Sequence, residues 1–116
     1  MKVRVNTLNN KKDLIHAGNA VTMFKDVIGE SLTLTGIIIY EKEEVDEKTG
    51  AIDTKVVSCI KNKDGEFISS ISPTIENSLN LILGAFEPDE ITQGIDILVK
   101  GKKSKNNREF IYIDVA

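Results

Sequence analysis

From Ser31 onward, apolar and polar positions alternate along the chain. Leu32 and Leu34 are interleaved with Thr33 and Thr35, and beyond Gly36 the phase slips by one so that Ile37 and Ile39 take over the same face. A glycine at a phase change inside a strand marks a bulge or a sharp bend. One long strand is therefore predicted to serve two parts of a curled sheet, with Ile38, Tyr40 and Lys42 pointing outward. Asp46 to Gly50 reads as a hairpin turn, after which Ile52, Thr54, Val56, Ser58 and Ile60 line one face of the returning strand and Lys55 and Lys61 the other. Asn62 to Gly65 is a second turn, where Asp64-Gly65 tolerates the positive φ of a tight hairpin, and Glu66 to Ile71 is a third strand.

The period then changes. Ser72 stands at a capping position with Pro73 at the first helical position, and Ile75, Leu79, Ile82, Leu83 and Phe86 recur at helical spacing until Pro88. An acidic connector, Glu87 to Glu90, leads into the last quarter. Gly94 to Ala116 reads as two short strands joined by a basic hairpin, with Phe110 and Tyr112 on the opposite face of the last strand from Ile111, Ile113 and Val115. Ahead of all this, Met1 to Val5 is an edge strand or an arm and Asn6 to Lys12 a polar connector. Asp13 to Phe24 is expected to be irregular, because Gly18 and Asn19 interrupt its helical spacing.

The order strand, strand, strand, helix, strand, strand, with a bulged glycine in the first strand, is that of an OB-fold. The expected class is mainly β: a five-stranded Greek-key barrel with one helix between strands 3 and 4. With 116 residues the chain supports one core and one domain, residues 1–116, of which 1–22 form an N-terminal extension or edge segment.

Composition narrows the chemistry. No apolar run approaches the roughly 20 residues that span a bilayer, and Met1-Lys2-Val3-Arg4 leads into polar residues rather than a secretion signal. Cys59 is the single cysteine, which excludes an internal disulfide and a thiolate metal cage and fits a buried side chain in a reducing cytoplasm. His16 is the single histidine, with no cysteine near it. Glu41, Glu43, Glu44, Asp46 and Glu47 cluster around a hairpin tip where water solvates them, at spacings that match neither a calcium loop nor a two-metal nuclease. No catalytic residues, metal or cofactor are expected, and the protein is expected not to be an enzyme.

The net charge is −3, yet residues 91–116 carry five cations against three anions, and all five, Lys100, Lys102, Lys103, Lys105 and Arg108, precede Glu109 without an intervening acid. A basic groove can therefore coexist with an acidic exterior. In an OB-fold the outer face of strands 2 and 3, flanked by the loops after strands 1 and 4, is the usual oligonucleotide groove. Tyr40 leads toward the first loop, the basic hairpin is the second, and Lys55 and Lys61 lie between. Cations suit backbone phosphates and rings suit unpaired bases, so the expected ligand is a single strand. The expected contacts are Tyr40, Phe110 and Tyr112 for bases and Lys42, Lys55, Lys61, Lys100, Lys102, Lys103, Lys105 and Arg108 for phosphates. The competing class is a protein-interaction module that offers its acidic surface to a replication or host factor.

Phe24-Lys25-Asp26 before the long strand, Tyr40 followed by a polar hairpin ending Thr49-Gly50-Ala51, Thr54, Asp64-Gly65, Ile68 to Ser72 with Thr74, and Ser104-Lys105-Asn106 with Phe110 share their order and spacing with a known family. From about Met23 to the C terminus the chain resembles the single-stranded DNA-binding proteins of small tailed phages that replicate linear genomes by protein priming. The resemblance implies a non-enzymatic protein of the bacterial host cytoplasm that coats displaced single strands without strong sequence preference, alongside phage replication proteins. It aligns Tyr40 with an aromatic near the DNA. Thr49 and Ile68 stand where relatives carry further aromatics, which moves the stacking toward Phe110 and Tyr112. Ile38, the N-terminal segment and the strand edges are surfaces that would serve a homodimer.

Overall fold

The phase change at Gly36 is a bulge in the computed structural model, which describes residues 1–8, 10–103, 105 and 108–116. The elements are β1 (Lys2–Asn6), α1 (Lys11–Gly18), β2 (Thr22–Met23), a 3-10 turn (Phe24–Val27), β3 (Ser31–Val45), β4 (Ile52–Asn62), β5 (Phe67–Ser70), α2 (Pro73–Ala85), α3 (Pro88–Gln93), β6 (Ile95–Lys103) and β7 (Glu109–Val115). The β3–β4 register shifts between Leu34 and Gly36. Before the shift, Ser31–Leu34 pair with β6; after it, that edge of β3 takes β1 across Ile38–Glu41.

The result is a curled half-barrel with sheet order β2-β5-β4-β3-β6-β7 and β1 added on β3. Its meander, following helix and final hairpin keep the OB-like order. Its inner face gathers Leu34, Ile37, Ile39, Ile60, Ile68, Ile97 and Val99 over Ile75, Leu79 and Ile82 of α2 and Ile91 of α3. Ser78 fastens α2 to the outer edge of β7, since its hydroxyl accepts from the Ile113 N–H at 3.1 Å and donates to the Thr74 carbonyl at 3.0 Å.

Five strands and one helix were expected; the described residues form seven strands and three α-helices. Of these, β1 is the edge strand offered for Met1 to Val5, whereas β2, α1 and α3 come from segments without a strong period. β1 is held on β3 by its ladder and by Arg4, which donates to Glu41 at 2.6 Å, while the two-residue β2 runs parallel to β5. The acidic connector from Glu87 starts α3, because Pro88 fits its first position and the Glu90 carboxylate accepts from the Glu87 N–H at 3.1 Å. Ser72 occupies the capping position of α2, but its hydroxyl makes no cap; its carbonyl accepts from Glu76.

The largest departure lies between Asp13 and Phe24, which is not irregular. Asn10 caps α1, its side chain accepting from the Lys12 N–H at 2.9 Å, and Gly18 and Asn19 end the helix rather than interrupt it. Leu14 and Ala17, three residues apart, share one side of α1 and pack on the outer face of the sheet with Ile38, Tyr40, Val57, Cys59 and Phe67. Ile38 and Tyr40 do point outward, but under this cover they retain only 1% and 6% exposure. Ile38 is thus closed to the dimer contact expected of it.

Leu8, at the approach to α1, lies directly over Gly36, where an added Cβ would come within 2.6 Å of the leucine side chain. Gly36→Ala is expected to destabilise the fold by about 1–3 kcal/mol through this overlap. Leu8→Ala removes the obstacle at a cost of its own, so the double variant should lose less than the sum of the single losses. Urea denaturation of the four proteins measures the coupling; strict additivity would show that the two positions do not touch.

Candidate nucleic-acid interface

Outward-facing residues of β3 and β4 form the first group of candidate contacts. Lys42 and Lys55 are directly opposed in the ladder, one pair beyond Tyr40 and Val57 on that face. Two cations facing each other require an anion, and Glu44 supplies it, with Lys55 Nζ at 3.1 Å and Lys42 Nζ at 3.9 Å. The hydrogen bond from Lys55 to Glu44 raises the lysine pKa above its ordinary value. Tyr40 lies against the C-terminal end of α1, and a cavity of about 160 Å³ there is lined by Ala17, Tyr40, Lys42, Lys55 and Val57 among others. Burial pushes the Tyr40 phenol pKa up, with a smaller contribution from Cys59.

The β6–β7 ribbon carries the second group. Its register sets Lys100 opposite Tyr112 and Lys102 opposite Phe110. Ile97, Val99 and Ile113 go to the core, so these rings and lysines share the outer face, with the ring centroids 6.1 Å apart and the planes tilted by 39°. Lys100 bonds Asp114 at 2.9 Å, which raises the lysine pKa and lowers that of the carboxylate. Lys102, Lys105 and Arg108 are exposed. A groove of about 460 Å³ beside Lys102 and Phe110 is also lined by Lys25 and Ile28. Lys103 belongs to β6, while its side chain, with Ser104 and Asn106 of the family-like pattern, lies outside the described residues.

Lys61 stands apart from both groups, and the structure gives it an aromatic neighbour that is not among the expected contacts. Phe67 is directly opposite Lys61 in the β4–β5 ladder, and the ammonium lies 5.8 Å from the ring centroid. Asp13 of α1 meets Lys61 at 3.2 Å, and the His16 ring stacks on Phe67. The available signal was the Asp64-Gly65 turn, which fixes the register that makes Lys61 and Phe67 a cross-strand pair.

These groups do not converge at one point. β6 runs antiparallel to β3 with Leu98 beside Ser31, so it recedes from Tyr40 as it approaches the basic hairpin. Between Tyr40 and Lys102 lie about 40 Å of strand contour at roughly 3.3 Å per residue. The structure brings together Tyr40, Lys42 and Lys55 at one station, Lys61 and Phe67 at another, and Lys100, Lys102, Phe110 and Tyr112 at a third, all on the outer face of one sheet. The middle of that face, over Ile38 and Cys59, is under α1.

No group of three or more metal-binding side chains occurs among the described residues, and no helix there is long and apolar enough to cross a membrane. A family model described as phage single-stranded DNA-binding protein matches residues 6–116. No curated protein and no solved structure matches the chain.

Cys59 reports on the covered middle of the face. Burial beneath α1 pushes its thiol pKa up to about 12, because the thiolate would lose its hydration. Near pH 8 the native protein is expected to resist a thiol-specific disulfide reagent, whereas the urea-unfolded chain should react to one equivalent. Rapid reaction of the native protein would mean that α1 does not stay seated.

Proposed function

The chain belongs to the phage single-stranded DNA-binding protein family, and we propose that it coats single-stranded DNA during phage replication or recombination, without chemical turnover and without strong sequence preference. The observation that carries this reading is the outer face of the β6–β7 ribbon, where both rings are half-buried. It offers two neighbouring rings flanked by Lys100 and Lys102, and Lys105 and Arg108 stand in the connector that follows. Every base has a π face and every nucleotide a phosphate, so a surface of rings and mobile cations binds the polymer rather than a sequence. Lys42 and Lys55, beside the largely buried Tyr40, provide a second point of attachment at the far end of the same outer face.

Placement follows from the activity. Displaced strands occur where the genome is copied, so the bacterial host cytoplasm is the proposed site of action, and phage replication proteins are the proposed neighbours on the strand.

Fluorescence anisotropy of a labelled oligothymidylate against a duplex of equal length tests the proposal. Phe110→Ala and Tyr112→Ala should each weaken binding by about 5- to 150-fold, corresponding to roughly 1–3 kcal/mol per stacked base, with the far-ultraviolet circular dichroism unchanged. Tyr40→Ala should lose stability as well as affinity, since the ring packs against Ala17 and Val57; Tyr40→Phe keeps the packing and should retain most of the binding. Equal affinity for duplex, or no binding at micromolar protein, would favour the protein-interaction reading.

Salt provides an independent check. Among the cations proposed to follow phosphates, Lys42, Lys55, Lys61 and Lys100 already hold carboxylates. Exchanging a carboxylate for a phosphate releases fewer ions overall than occupying a free lysine. Each free cation contributes about −0.7 to the slope of log K against log salt on single strands. The measured slope should therefore lie nearer to about −3, the value when only the other four cations contribute, than to about −6, the value for all eight.

A further inference from the structure

Lys61 and Phe67 are placed as a nucleotide would require, and they are occupied by parts of the chain that resemble one. The two residues are directly opposed, with the ammonium 5.8 Å from the ring centroid. Asp13 sets a carboxylate oxygen 3.2 Å from that ammonium. His16 lays a flat heterocycle nearly parallel to the phenyl ring, with a centroid separation of 6.0 Å and an angle of 12°. An anion on the lysine and a planar nitrogen ring on the phenylalanine are what the phosphate and base of one nucleotide would supply. Asp13 and His16 stand three apart on α1, so one side of the helix delivers both.

We infer that Lys61 and Phe67 form a further nucleotide-binding subsite, which α1 occupies with Asp13 and His16 until single-stranded DNA displaces those two side chains. The inference rests on the DNA-binding reading above. The ligand is one unit of a single strand, its base on Phe67 and its phosphate on Lys61. A cavity of about 320 Å³ already opens at this point, lined by Lys12 and Gly65 as well as these four residues, and Lys12 brings a second cation to its rim.

The exchange leaves the helix in place. α1 is seated by Leu14 and Ala17 against Ile38, Val57 and Cys59, whereas His16 is exposed and Asp13 reaches sideways to Lys61. Lifting the whole helix would uncover Ile38 and Cys59. Rotating two side chains uncovers only the subsite. A partly exposed ion pair is weak, and a phosphate replaces the carboxylate on Lys61 with a charge of the same sign.

A purely structural role for these contacts predicts the opposite response to mutation, because unpinning α1 would loosen the surface and weaken binding or leave it unchanged. The double variant Asp13→Asn, His16→Ala is instead expected to bind oligothymidylate roughly two- to five-fold more tightly at low salt, the range that corresponds to a weak ion pair, with its circular dichroism intact. Phe67→Leu, which keeps an apolar side chain against the outer cluster but removes the ring, should bind about five-fold more weakly or worse. Ultraviolet crosslinking of the unmodified protein to an oligonucleotide containing 5-iododeoxyuridine, read by peptide mass spectrometry, should mark the peptide that contains Phe67. That measurement decides the matter if a variant does not fold. Normal binding by the unmodified protein, with unchanged or weaker binding by the double variant and no crosslink at Phe67, overturns the subsite alone. Failure of the unmodified protein to bind overturns the proposed function with it.

Discussion

Ile37, Ile38 and Ile39 are consecutive, so in an extended strand they point alternately inward and outward, yet none exceeds 2% exposure. A strand in that condition needs apolar cover on both sides. On the inner side α2 and α3 close the half-barrel. On the outer side the cover is α1, with Leu8 ahead of it, and α1 is an eight-residue helix, a length that water alone would not keep helical. The helix and the strand face under it therefore depend on each other: Ala17 and Leu14 give α1 a reason to fold, and α1 keeps Ile38 and Cys59 dry. Gly36 makes the arrangement fit, since its missing side chain lets Leu8 pass over β3 on the way to α1.

This two-sided burial shapes the functional surface. The outer face that an OB-fold commonly leaves open for an oligonucleotide is blocked here at its centre. What stays accessible is arranged around the obstruction: Lys42 and Lys55 where α1 ends, beside the buried Tyr40, Lys61 and Phe67 beside its first turns, and the β6–β7 ribbon beyond the start of β3. On the proposed reading a bound strand engages separate stations rather than one continuous trough.

Much of this was legible in the sequence, and what was not has a definite cause. Alternation located β3, β4, β5 and β7 because each of these strands has one face in the core, and the glycine at the phase change located the bulge. Pro73 with its helical apolar spacing located α2. The N-terminal helix escaped because Lys11 to Gly18 has little apolar content, its signal being a cap at Asn10 and two small contacts, Leu14 and Ala17. Yet the demand for it was written elsewhere: an uninterrupted Ile37-Ile38-Ile39-Tyr40 run belongs to a strand covered on both faces. The aromatic pair at Phe110 and Tyr112 was readable from period two alone. The distance between that pair and Tyr40 was not, because it depends on which residue of β6 meets Ser31, a register that no local pattern fixes.

The acids placed among the cations work in two directions. Glu44, Asp13 and Asp114 reduce the positive field of an already acidic protein, which limits long-range attraction of a polyanion. The same carboxylates hold Lys55, Lys61 and Lys100 in fixed conformations, so part of the side-chain ordering that a phosphate would otherwise impose is already done. A strand approaching the proposed interface thus meets lysines that are positioned but engaged. Each contact is an exchange between two anions of the same lysine, with small net energy in either direction. Affinity on this reading accumulates from ring stacking and from the exposed cations near the hairpin, while the paired lysines contribute placement more than strength.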